Sequence, residues 1–470
     1  MNKNQLIVLG AGPGGYAAAF LAADLGMDVL LIDEEKNPGG VCLYKGCIPS
    51  KALLHLAKLI SDSKDAKNFG LNFSKPEIDL NKVRHWKNDV VNKLTSGLGQ
   101  LGRQRKISYL QGYAKLKDNS SIEFSDKSGK SEIIQFDNLI IATGSSPANF
   151  PGIDIDHSVI LDSTSALDIN DIPKTMLVIG GGYIGLELGT VYANFGTKVT
   201  VTEMLPGILN GADKDLVSVL SKKVNTLFES VKLSTKVLEI KKVKNGVKVT
   251  FENNNSEKSD EIFDKVLISI GRKPNSINLG LENTKAETDE KGFIKVDKQL
   301  RTAEKNIFAI GDVAGEPMLA HKASHEGRTA VEVIAGHKYE FSPKAIPAVV
   351  FTDPEIAWCG ITEEQAKMQN MNVTVSKFPW AASGRAMTLG RTDGLTKLII
   401  DKDSGRILGV GIAGTGAGDL ISECVLAVEM GANADDLKLT IHPHPTLSET
   451  IMEAAEVFFG QSTHIFRPKK

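Results

Sequence analysis

Near its start the chain alternates apolar and glycine-rich stretches in an order that predicts a strand, a turn, a helix and a second strand. The apolar run Leu6–Leu9 leads into the turn Gly10–Gly15, which is followed by an alanine-rich segment. A second apolar run, Val29–Ile32, ends at Asp33. Short apolar runs bounded by glycines are typical of buried strands, and the longer segment between them favours a helix.

The same order recurs in the middle of the chain. Met176–Ile179 leads into Gly180–Gly185, a second helical segment follows, and Lys198–Thr202 ends at Glu203. In both copies 18 positions separate the last glycine of the turn from the acid. The match in order and spacing predicts a duplicated structural unit.

Each copy has the full order of a Rossmann dinucleotide site. The glycines let the backbone approach a pyrophosphate at a helix N-terminus, and the acid accepts hydrogen bonds from ribose hydroxyls. One such motif is weak evidence, and a solvated acid at a strand end is the ordinary alternative, but two matched copies favour two nucleotide sites. The candidate binding residues are Gly10, Gly12, Gly15 and Asp33 in the first copy and Gly180, Gly182, Gly185 and Glu203 in the second.

Cys42 and Cys47, separated by four residues, lie shortly after the first copy. Two buried thiols that never meet are the ordinary alternative, because free cysteine is among the most buried residue types. Here Gly46 allows a tight turn, and Pro49 suits the first turn of a following helix. A thiol at that helix N-terminus, close to Lys51, has a stabilised thiolate. The pattern predicts a redox-active dithiol.

The segment 39–51, Gly-Gly-x-Cys-x4-Cys-Ile-Pro-Ser-Lys, resembles the active-disulfide segment of the flavin-dependent pyridine nucleotide disulfide oxidoreductases. The resemblance continues to the C-terminal region and implies tightly bound FAD in the first site, because the dithiol must reduce the flavin, and a nicotinamide nucleotide in the second. Glu203 would repel a 2′-phosphate and no arginine follows in 204–208, so NAD is expected over NADP. The segment Thr302–Asp312 resembles the second FAD signature of the family, which implies that Asp312 binds the ribityl chain. Further positions have no such motif and are implied by family position: Ala114, Gly144 and Ala320 for FAD, Lys51 for tuning the flavin and pairing with Glu187, and Val237 and Gly271 for NAD.

The implied fold is α/β, with two Rossmann-like FAD- and NAD-binding domains, a central piece and a C-terminal α+β dimerisation domain. The expected boundaries are 1–149 for the FAD domain, 150–274 for the NAD domain, 275–345 for the central segment returning to the FAD domain, and 346–470 for the interface domain.

A histidine motif, His442-Pro-His444-Pro-Thr446-Leu-Ser-Glu449, precedes an amphipathic helix. Thr446 and Glu449 have the spacing of a capping box, and His-x-His could suggest a metal, but no further cluster completes such a site. The segment also resembles the family motif in which the histidine is the acid-base and the glutamate orients it, which implies these roles for His444 and Glu449. The two roles of Glu449 would then compete. In the family the histidine reaches the disulfide of the other subunit, which implies a homodimer with shared sites.

Within the family, the Ile-Pro-Ser-Lys ending most resembles the members that oxidise dihydrolipoamide. This resemblance implies oxidation of dihydrolipoamide with reduction of NAD, and lipoyl domains of 2-oxoacid dehydrogenase or glycine-cleavage complexes as partners. Mercuric reductases and large thioredoxin reductases carry a C-terminal cysteine pair, whereas Cys424 is the last cysteine here. Glutathione reductase would have a basic cluster where Glu203 stands, and soluble transhydrogenase lacks the dithiol. From another class, a non-catalytic flavoprotein scaffold remains open.

The composition of the chain also limits which classes of partner molecule are expected. A net charge of -2 and 6% aromatic residues give no reason to expect nucleic acid. Four cysteines in 470 residues do not make a disulfide scaffold, and Cys359 and Cys424 are expected to be structural thiols in a reducing cytoplasm. The first residues imitate a signal peptide, but glycines interrupt the apolar run, and no run reaches the roughly 18 apolar residues of a membrane span.

Overall fold

The computed structural model describes residues 3–466, so the outermost ends of the first and last predicted domains lie outside the described residues. Its strands, in chain order, are β1 (Lys3–Leu9), β2 (Val29–Asp33), β3 (Ser108–Leu116), β4 (Ser121–Asp126), β5 (Ser131–Ile141), β6 (Ser145–Pro147), β7 (Ile160–Leu161), β8 (Thr175–Ile179), β9 (Lys198–Thr202), β10 (Ser230–Lys232), β11 (Lys236–Val243), β12 (Gly246–Glu252), β13 (Lys258–Phe263), β14 (Lys265–Ile268), β15 (Arg272–Pro274), β16 (Ile307–Ala309), β17 (Ala348–Val350), β18 (Glu355–Gly360), β19 (Val373–Pro379), β20 (Leu395–Asp401) and β21 (Ile407–Gly414).

The α-helices are α1 (Pro13–Asp24), α2 (Gly40–Lys45), α3 (Cys47–Asp65), α4 (Leu80–Gln104), α5 (Ser163–Ala166), α6 (Tyr183–Phe195), α7 (Lys214–Leu227), α8 (Ala320–Ile334), α9 (Glu363–Met368), α10 (Gly384–Thr388), α11 (Ala417–Met430), α12 (Ala434–Leu439) and α13 (Glu449–Phe458). Short 3₁₀ turns occupy Ala66–Phe69, Leu281–Asn283, Gly311–Val313 and Trp380–Ala382. No helix in the described range 3–466 is long and apolar enough to cross a membrane.

The first nucleotide unit is built on a mostly parallel sheet. β1 lies between β2 and β5 and pairs with both in parallel, β3 extends the sheet beyond β2, and β16 pairs with β5 on the other side. Leu6, Ile7 and Val8 are fully buried, as expected for a strand covered on both faces. The strand β16 comes from far along the sequence, so the chain leaves this unit and later returns to it.

The chain crosses between units through two short strands. β6 leads out of the first unit, β15 leads back, and the two pair antiparallel at Ser145 to Pro147 and Arg272 to Pro274. The boundaries predicted at 149/150 and 274/275 fall close to this crossing. Between them lie the parallel sheet β10-β9-β8-β14-β7 and the antiparallel sheet β11-β12-β13.

The C-terminal part is a five-stranded antiparallel sheet in the order β17-β18-β21-β20-β19. Buried side chains of α11 and α13, among them Ile421, Ile451 and Ala454, share one apolar core with strand residues such as Leu398 and Ile412. Two Rossmann-like units followed by this α+β part make the fold α/β, as the sequence predicted.

The helix that begins with the second cysteine lies between the two nucleotide units. Its residues Leu53 and Leu54 are buried in the same cluster as Leu186, Leu188 and Val191 of α6. This packing brings the start of α3 toward both nucleotide sites.

Candidate active site

The two cysteines lie on consecutive helices, and the first of these helices packs closely against the first glycine turn. Cys42 is on α2, and Cys47 is the first residue of α3. Gly40 has a φ of 56°, and a Cβ there would lie 2.5 Å from the Cα of Gly12. Only glycine therefore lets α2 approach the turn this closely.

The two thiols have different acidities although they touch. Both are free, and the Cys42 thiol donates a hydrogen bond to the sulfur of Cys47. That hydrogen bond lowers the pKa of Cys47 to about 7; burial opposes the change, and Lys51 and the backbone N–H at the start of α3 favour it. The same hydrogen bond and burial raise the pKa of Cys42. In the reduced pair, Cys47 carries the negative charge.

Behind the dithiol, Glu187 ties three parts of the molecule together. Its Oε2 is 2.8 Å from the Nζ of Lys51 and accepts the hydroxyl of Ser50 at 3.2 Å. Its Oε1 accepts the backbone N–H of Phe351 at 2.9 Å, and the Lys51 Nζ lies 4.6 Å from the centre of the Phe351 ring. The Lys51–Glu187 ion pair expected from the resemblance is present, and it is anchored by the C-terminal part of the chain.

The first glycine turn has the geometry that its sequence pattern requires. Gly10 has a φ of 95°, and a Cβ on it would lie 2.3 Å from the Ala142 carbonyl oxygen. The Asp33 carboxylate accepts the N–H of Ala11 at 2.6 Å and the N–H of Glu35 at 2.9 Å. Burial raises the pKa of Asp33, and these two N–H groups partly offset the rise. These hydrogen bonds from Asp33 hold the backbone of the turn in place.

The second turn repeats this arrangement. Gly180 has a φ of 109°, and a Cβ on it would lie 2.5 Å from the carbonyl oxygen of Ser269. The Glu203 carboxylate accepts the N–H of Gly181 at 2.7 Å and the N–H of Leu205 at 2.9 Å. The duplication read from the sequence therefore extends to individual hydrogen bonds.

A cavity of about 600 Å³ runs from the first turn to the dithiol. It is within the usual size range of cofactor sites. The predicted residues that line it are Gly10, Gly12, Asp33, Cys42, Cys47, Lys51, Ala114, Gly144, Glu187, Asp312 and Ala320. Gly15 lies beneath it, where a Cβ would be 1.8 Å from the Gly10 carbonyl oxygen.

The second-turn residues Gly180, Gly182, Gly185 and Glu203 are outside this lining, as are Val237 and Gly271. Val237 and Gly271 nevertheless follow closely in sequence after residues that contact the second unit's turn or its acid. The N–H of Thr235, two residues before Val237, donates to the Glu203 carbonyl oxygen at 2.9 Å. Gly271 comes two residues after Ser269, whose carbonyl oxygen would lie 2.5 Å from a Cβ on Gly180.

The sequence did not predict a chain of hydrogen-bonded polar groups beside Asp312. Ser145 donates its hydroxyl to Asp312 Oδ2 at 2.5 Å, and Arg272 donates to the Ser145 hydroxyl at 2.7 Å and to its carbonyl at 2.6 Å. Tyr183, at the start of α6, also lines the cavity. The predicted boundary at 274/275 lies close to Arg272, but nothing local in the sequence indicated that Arg272 reaches back to Ser145.

The histidine motif lies on an exposed segment outside the cavity lining. His444, with 74% of its side chain exposed, places Nδ1 2.8 Å from Glu449 Oε1. The other oxygen, Oε2, accepts the N–H of Thr446 at 2.7 Å. Burial raises the pKa of Glu449, but the Thr446 N–H and His444 outweigh it, so the net change is downward. The capping box predicted for Thr446 and Glu449 is only half formed, because α13 begins at Glu449 itself and the Thr446 hydroxyl donates to the Pro443 carbonyl oxygen. The two contacts of Glu449, to His444 and to the Thr446 N–H, do not compete, because each uses a different oxygen.

One group of acids in the described chain has metal-like spacing, but lysines occupy its centre. Asp213, Asp215 and Glu363 bring carboxylate oxygens within 4.8 Å of one another. The fully buried Lys397 places its Nζ 2.6 to 2.8 Å from all three, and Lys377 contacts two of them. This cluster joins the start of α7 to the C-terminal sheet.

Comparison with known proteins agrees with this geometry. Residues 4–327 match the family model "Pyridine nucleotide-disulphide oxidoreductase", and residues 346–455 match its dimerisation domain. A dihydrolipoyl dehydrogenase of Vibrio cholerae is 48% identical over 98% of this chain and 97% of its own, and one of Geobacillus stearothermophilus is 45% identical over 98% of each.

Solved structures give the same result. The crystal structure of LpdA from Mycobacterium tuberculosis superposes with a TM-score of 0.90 at 25% identity, covering 96% of this chain and 99% of that one. The Cu(II) complex of the HOCl-induced flavoprotein disulfide reductase RclA from Escherichia coli has a TM-score of 0.86 at 28% identity, covering 97% and 99%. The chain therefore belongs to the pyridine nucleotide-disulphide oxidoreductase family, in the branch of the dihydrolipoyl dehydrogenases.

Proposed function

We propose that the chain is an FAD-dependent dihydrolipoyl dehydrogenase that oxidises dihydrolipoamide to lipoamide and reduces NAD. The observation that carries the proposal is the Cys42–Cys47 dithiol, which lines the same cavity as the first glycine turn and Asp312. The curated relatives that cover nearly all of the chain bear this activity in their names.

The protein chemistry is a thiol–disulfide exchange. The partner subunit's His444 takes a proton from a substrate thiol, and the resulting thiolate attacks Sγ of Cys42 in the Cys42–Cys47 disulfide. The S–S bond breaks, and Cys47 leaves as a thiolate, the charge state its lowered pKa favours. The second substrate sulfur then attacks the first, forming the S–S bond of lipoamide and breaking the bond to Cys42. Cys42, whose pKa is raised, takes up the proton of the second thiol, and the electron pair stays on the enzyme dithiol.

The cavity fits FAD. α1 begins at Pro13, which has no N–H, and no side chain caps the N–H groups that follow it, so these can bind a pyrophosphate. Asp33, Ala114, Gly144, Asp312 and Ala320 line the rest of the cavity. When bound, FAD would accept the electron pair of the dithiol and pass it on as hydride to NAD. Lys51, held by Glu187, places a positive charge beside Cys47.

The second unit fits NAD by the same test. α6 begins after Gly182 with no side-chain cap, and a Cβ on Gly182 would meet nothing within 4 Å. We assign the pyrophosphate to Gly180, Gly182 and Gly185, the adenosine ribose to Glu203, and the remaining contacts to Val237, Gly271 and Glu187.

We further propose an obligate homodimer in which residues 346–470 form the interface and His444 serves the partner's dithiol. Large apolar side chains are exposed beside the histidine motif: Leu426, Met430, Leu439 and Ile441 have 62, 76, 74 and 94% of their surface exposed. Such a patch is typical of a protein interface. It also lies in the region that matches the dimerisation domain.

Lipoyl domains of 2-oxoacid dehydrogenase or glycine-cleavage complexes are the partners we propose, because their pendant dihydrolipoyl groups are the substrate. We propose a cytoplasmic location because a dithiol that is reduced in every turnover suits a reducing compartment.

The test is a pair of assays on the FAD-loaded protein. NADH formation from NAD and free dihydrolipoamide is the expected activity, whereas NADPH-dependent reduction of glutathione disulfide should be absent. The reverse result would assign the chain to glutathione-type reductases. A protein that binds FAD and supports neither reaction would be a scaffold.

A further inference from the structure

The segment that carries His444 has few connections to the rest of the molecule. It joins α12 to α13, and Ile441 and His444 are largely exposed. Most of the hydrogen bonds made by residues 441–445 stay within the stretch 440–449. Among the described residues, one hydrogen bond made by residues 441–445 leaves the stretch 440–449, and it runs from His442 to Glu423 on α11.

Both ring nitrogens of His442 are engaged. Nδ1 lies 2.9 Å from the carbonyl oxygen of Thr440, and Nε2 lies 2.8 Å from Glu423 Oε1. A carbonyl oxygen and a carboxylate can only accept, so each ring nitrogen of His442 faces a hydrogen-bond acceptor of the protein.

The link is shielded from solvent on the histidine side. The His442 side chain is only 4% exposed, whereas Glu423 is 33% exposed. A charge-assisted hydrogen bond in such a setting is stronger than a neutral one in water. It fixes the segment two residues before His444, while Glu449 fixes the imidazole itself.

We propose that His442 is a positioning residue for dihydrolipoamide oxidation and that Glu423 is its anchor. This proposal rests on the proposed function of His444. The pair fastens the segment to α11, so that the imidazole of His444 is held where the substrate thiol of the neighbouring site loses its proton. A misplacement of about 1 Å at such a group can cost about 100-fold in rate.

The test uses two substitutions that each keep one of the two hydrogen bonds. In His442→Gln the amide nitrogen replaces Nε2 and keeps the bond to Glu423, whereas in His442→Asn it replaces Nδ1 and keeps only the bond to Thr440. We expect His442→Asn to lower kcat/KM for dihydrolipoamide by about 10- to 100-fold. His442→Gln should retain most of the wild-type kcat/KM. NADH oxidation by a quinone, which needs the two nucleotide sites and not His444, serves as the internal reference.

Glu423→Ala tests the hydrogen bond between His442 and Glu423 from its other partner. It should match His442→Asn, and the double variant should be no worse than either single one, because both changes remove one interaction. His337→Asn is the matched control, since His337 pairs with Glu332 on α8 and lies outside the site; it should behave as wild type.

Hydrogen exchange of the 440–448 backbone is the readout that does not depend on turnover. Exchange should rise in His442→Asn and Glu423→Ala and stay at the wild-type level in His442→Gln and His337→Asn. Unchanged exchange and unchanged kcat/KM in all variants would overturn the proposal. If wild-type protein fails to oxidise dihydrolipoamide, the proposed function fails, and the exchange data still decide whether the link holds the segment.

Discussion

The two cysteines of the dithiol are placed for different tasks. Cys47 starts α3 and receives the hydrogen bond of its neighbour, together with the field of Lys51, whereas Cys42 donates. The charge of the reduced pair is therefore concentrated on one sulfur. That asymmetry leads to two predictions about single residues.

Replacing each cysteine by serine should have unequal effects. Cys42→Ser keeps a donor beside Cys47, so the Cys47 thiolate should persist and add long-wavelength absorbance to the bound flavin. Cys47→Ser should bind FAD equally well, because the first glycine turn is intact, yet lack that absorbance and all dihydrolipoamide activity. Visible spectra of the two holoproteins are the measurement. Identical spectra and equal residual activity would contradict the assignment.

Alkylation of the reduced dithiol should follow the acidity of Cys47. Its rate with iodoacetamide should rise with pH around a midpoint of about 7, because the thiolate is the nucleophile. Lys51→Met removes a charge that lowers this pKa, so the midpoint should move upward. Lys58→Met, on the same helix, is the control and should leave it unchanged.

Burial raises the pKa of Cys359 to about 12 and raises that of Cys424 well above its ordinary value. Neither thiol should therefore contribute to the alkylation measured near pH 7. A midpoint that stays in place in Lys51→Met would show that the lysine does not stabilise the thiolate.

Single residues with local signals could be predicted from the sequence. The glycines, acids and cysteines stand in short motifs, and the histidine motif pointed to His444 and Glu449. The Ser145–Arg272–Asp312 relay could not be predicted, because its members are brought together by the crossing of β6 and β15. The two uses of Glu449 were also beyond the sequence, since spacing does not tell which oxygen meets which partner.

At the scale of elements, the two strand–turn–helix–strand units were predictable because each is contiguous. Their equivalence extends to the N–H groups that Asp33 and Glu203 accept. The pairing of β16 with β5 and the packing of α3 on α6 join distant parts of the chain. The family resemblance supplied the return of the chain to the first unit, whereas the packing of α3 on α6 was not predicted.

The second unit should select NAD over NADP. Glu203 holds a carboxylate at the turn, with both oxygens fixed by backbone N–H groups, and would repel a 2′-phosphate. We expect kcat/KM to favour NAD by at least about 100-fold, which corresponds to roughly 2.7 kcal/mol. Steady-state rates with the two nucleotides measure this ratio, and comparable use of NADP would contradict the role of Glu203.

The junction between α7 and the C-terminal sheet should depend on Lys397. Lys397→Met removes the lysine that pairs with Asp213 and leaves Asp215 and Glu363 with Lys377, so the free energy of unfolding should fall by about 3 kcal/mol. Urea unfolding followed by tryptophan fluorescence measures the loss. Lys402→Met, on the exposed turn after β20, is the control, and equal midpoints for both variants would contradict this account.

The same cluster gives a pH dependence. Burial raises the pKa values of Asp215 and Glu363, but the two lysines outweigh it and leave both below their ordinary values. Carboxylates with lowered pKa values stabilise the folded state above about pH 4, and that contribution is lost as the pH falls further. The gap in stability between wild type and Lys397→Met should therefore narrow in acid.

At the scale of the whole molecule, the site is assembled from distant parts of one chain, and we propose that a second copy completes it. Glu187 joins the dithiol helix, the second nucleotide unit and the backbone of Phe351. His444, in contrast, is exposed and lies outside the lining of its own chain's cavity. The sequence could not show this sharing, because it contains no contact between copies.

Mixed dimers test the shared site most directly. Inactive Cys47→Ser and inactive His444→Gln chains, unfolded and refolded together, should form heterodimers in which one of the two sites has both native residues. The account predicts recovery of dihydrolipoamide activity in proportion to the heterodimer fraction, while His444→Gln alone should be about 100- to 10,000-fold slower than wild type. Confirmed heterodimers without activity would contradict it, because His444 would then serve its own chain or would not be the base.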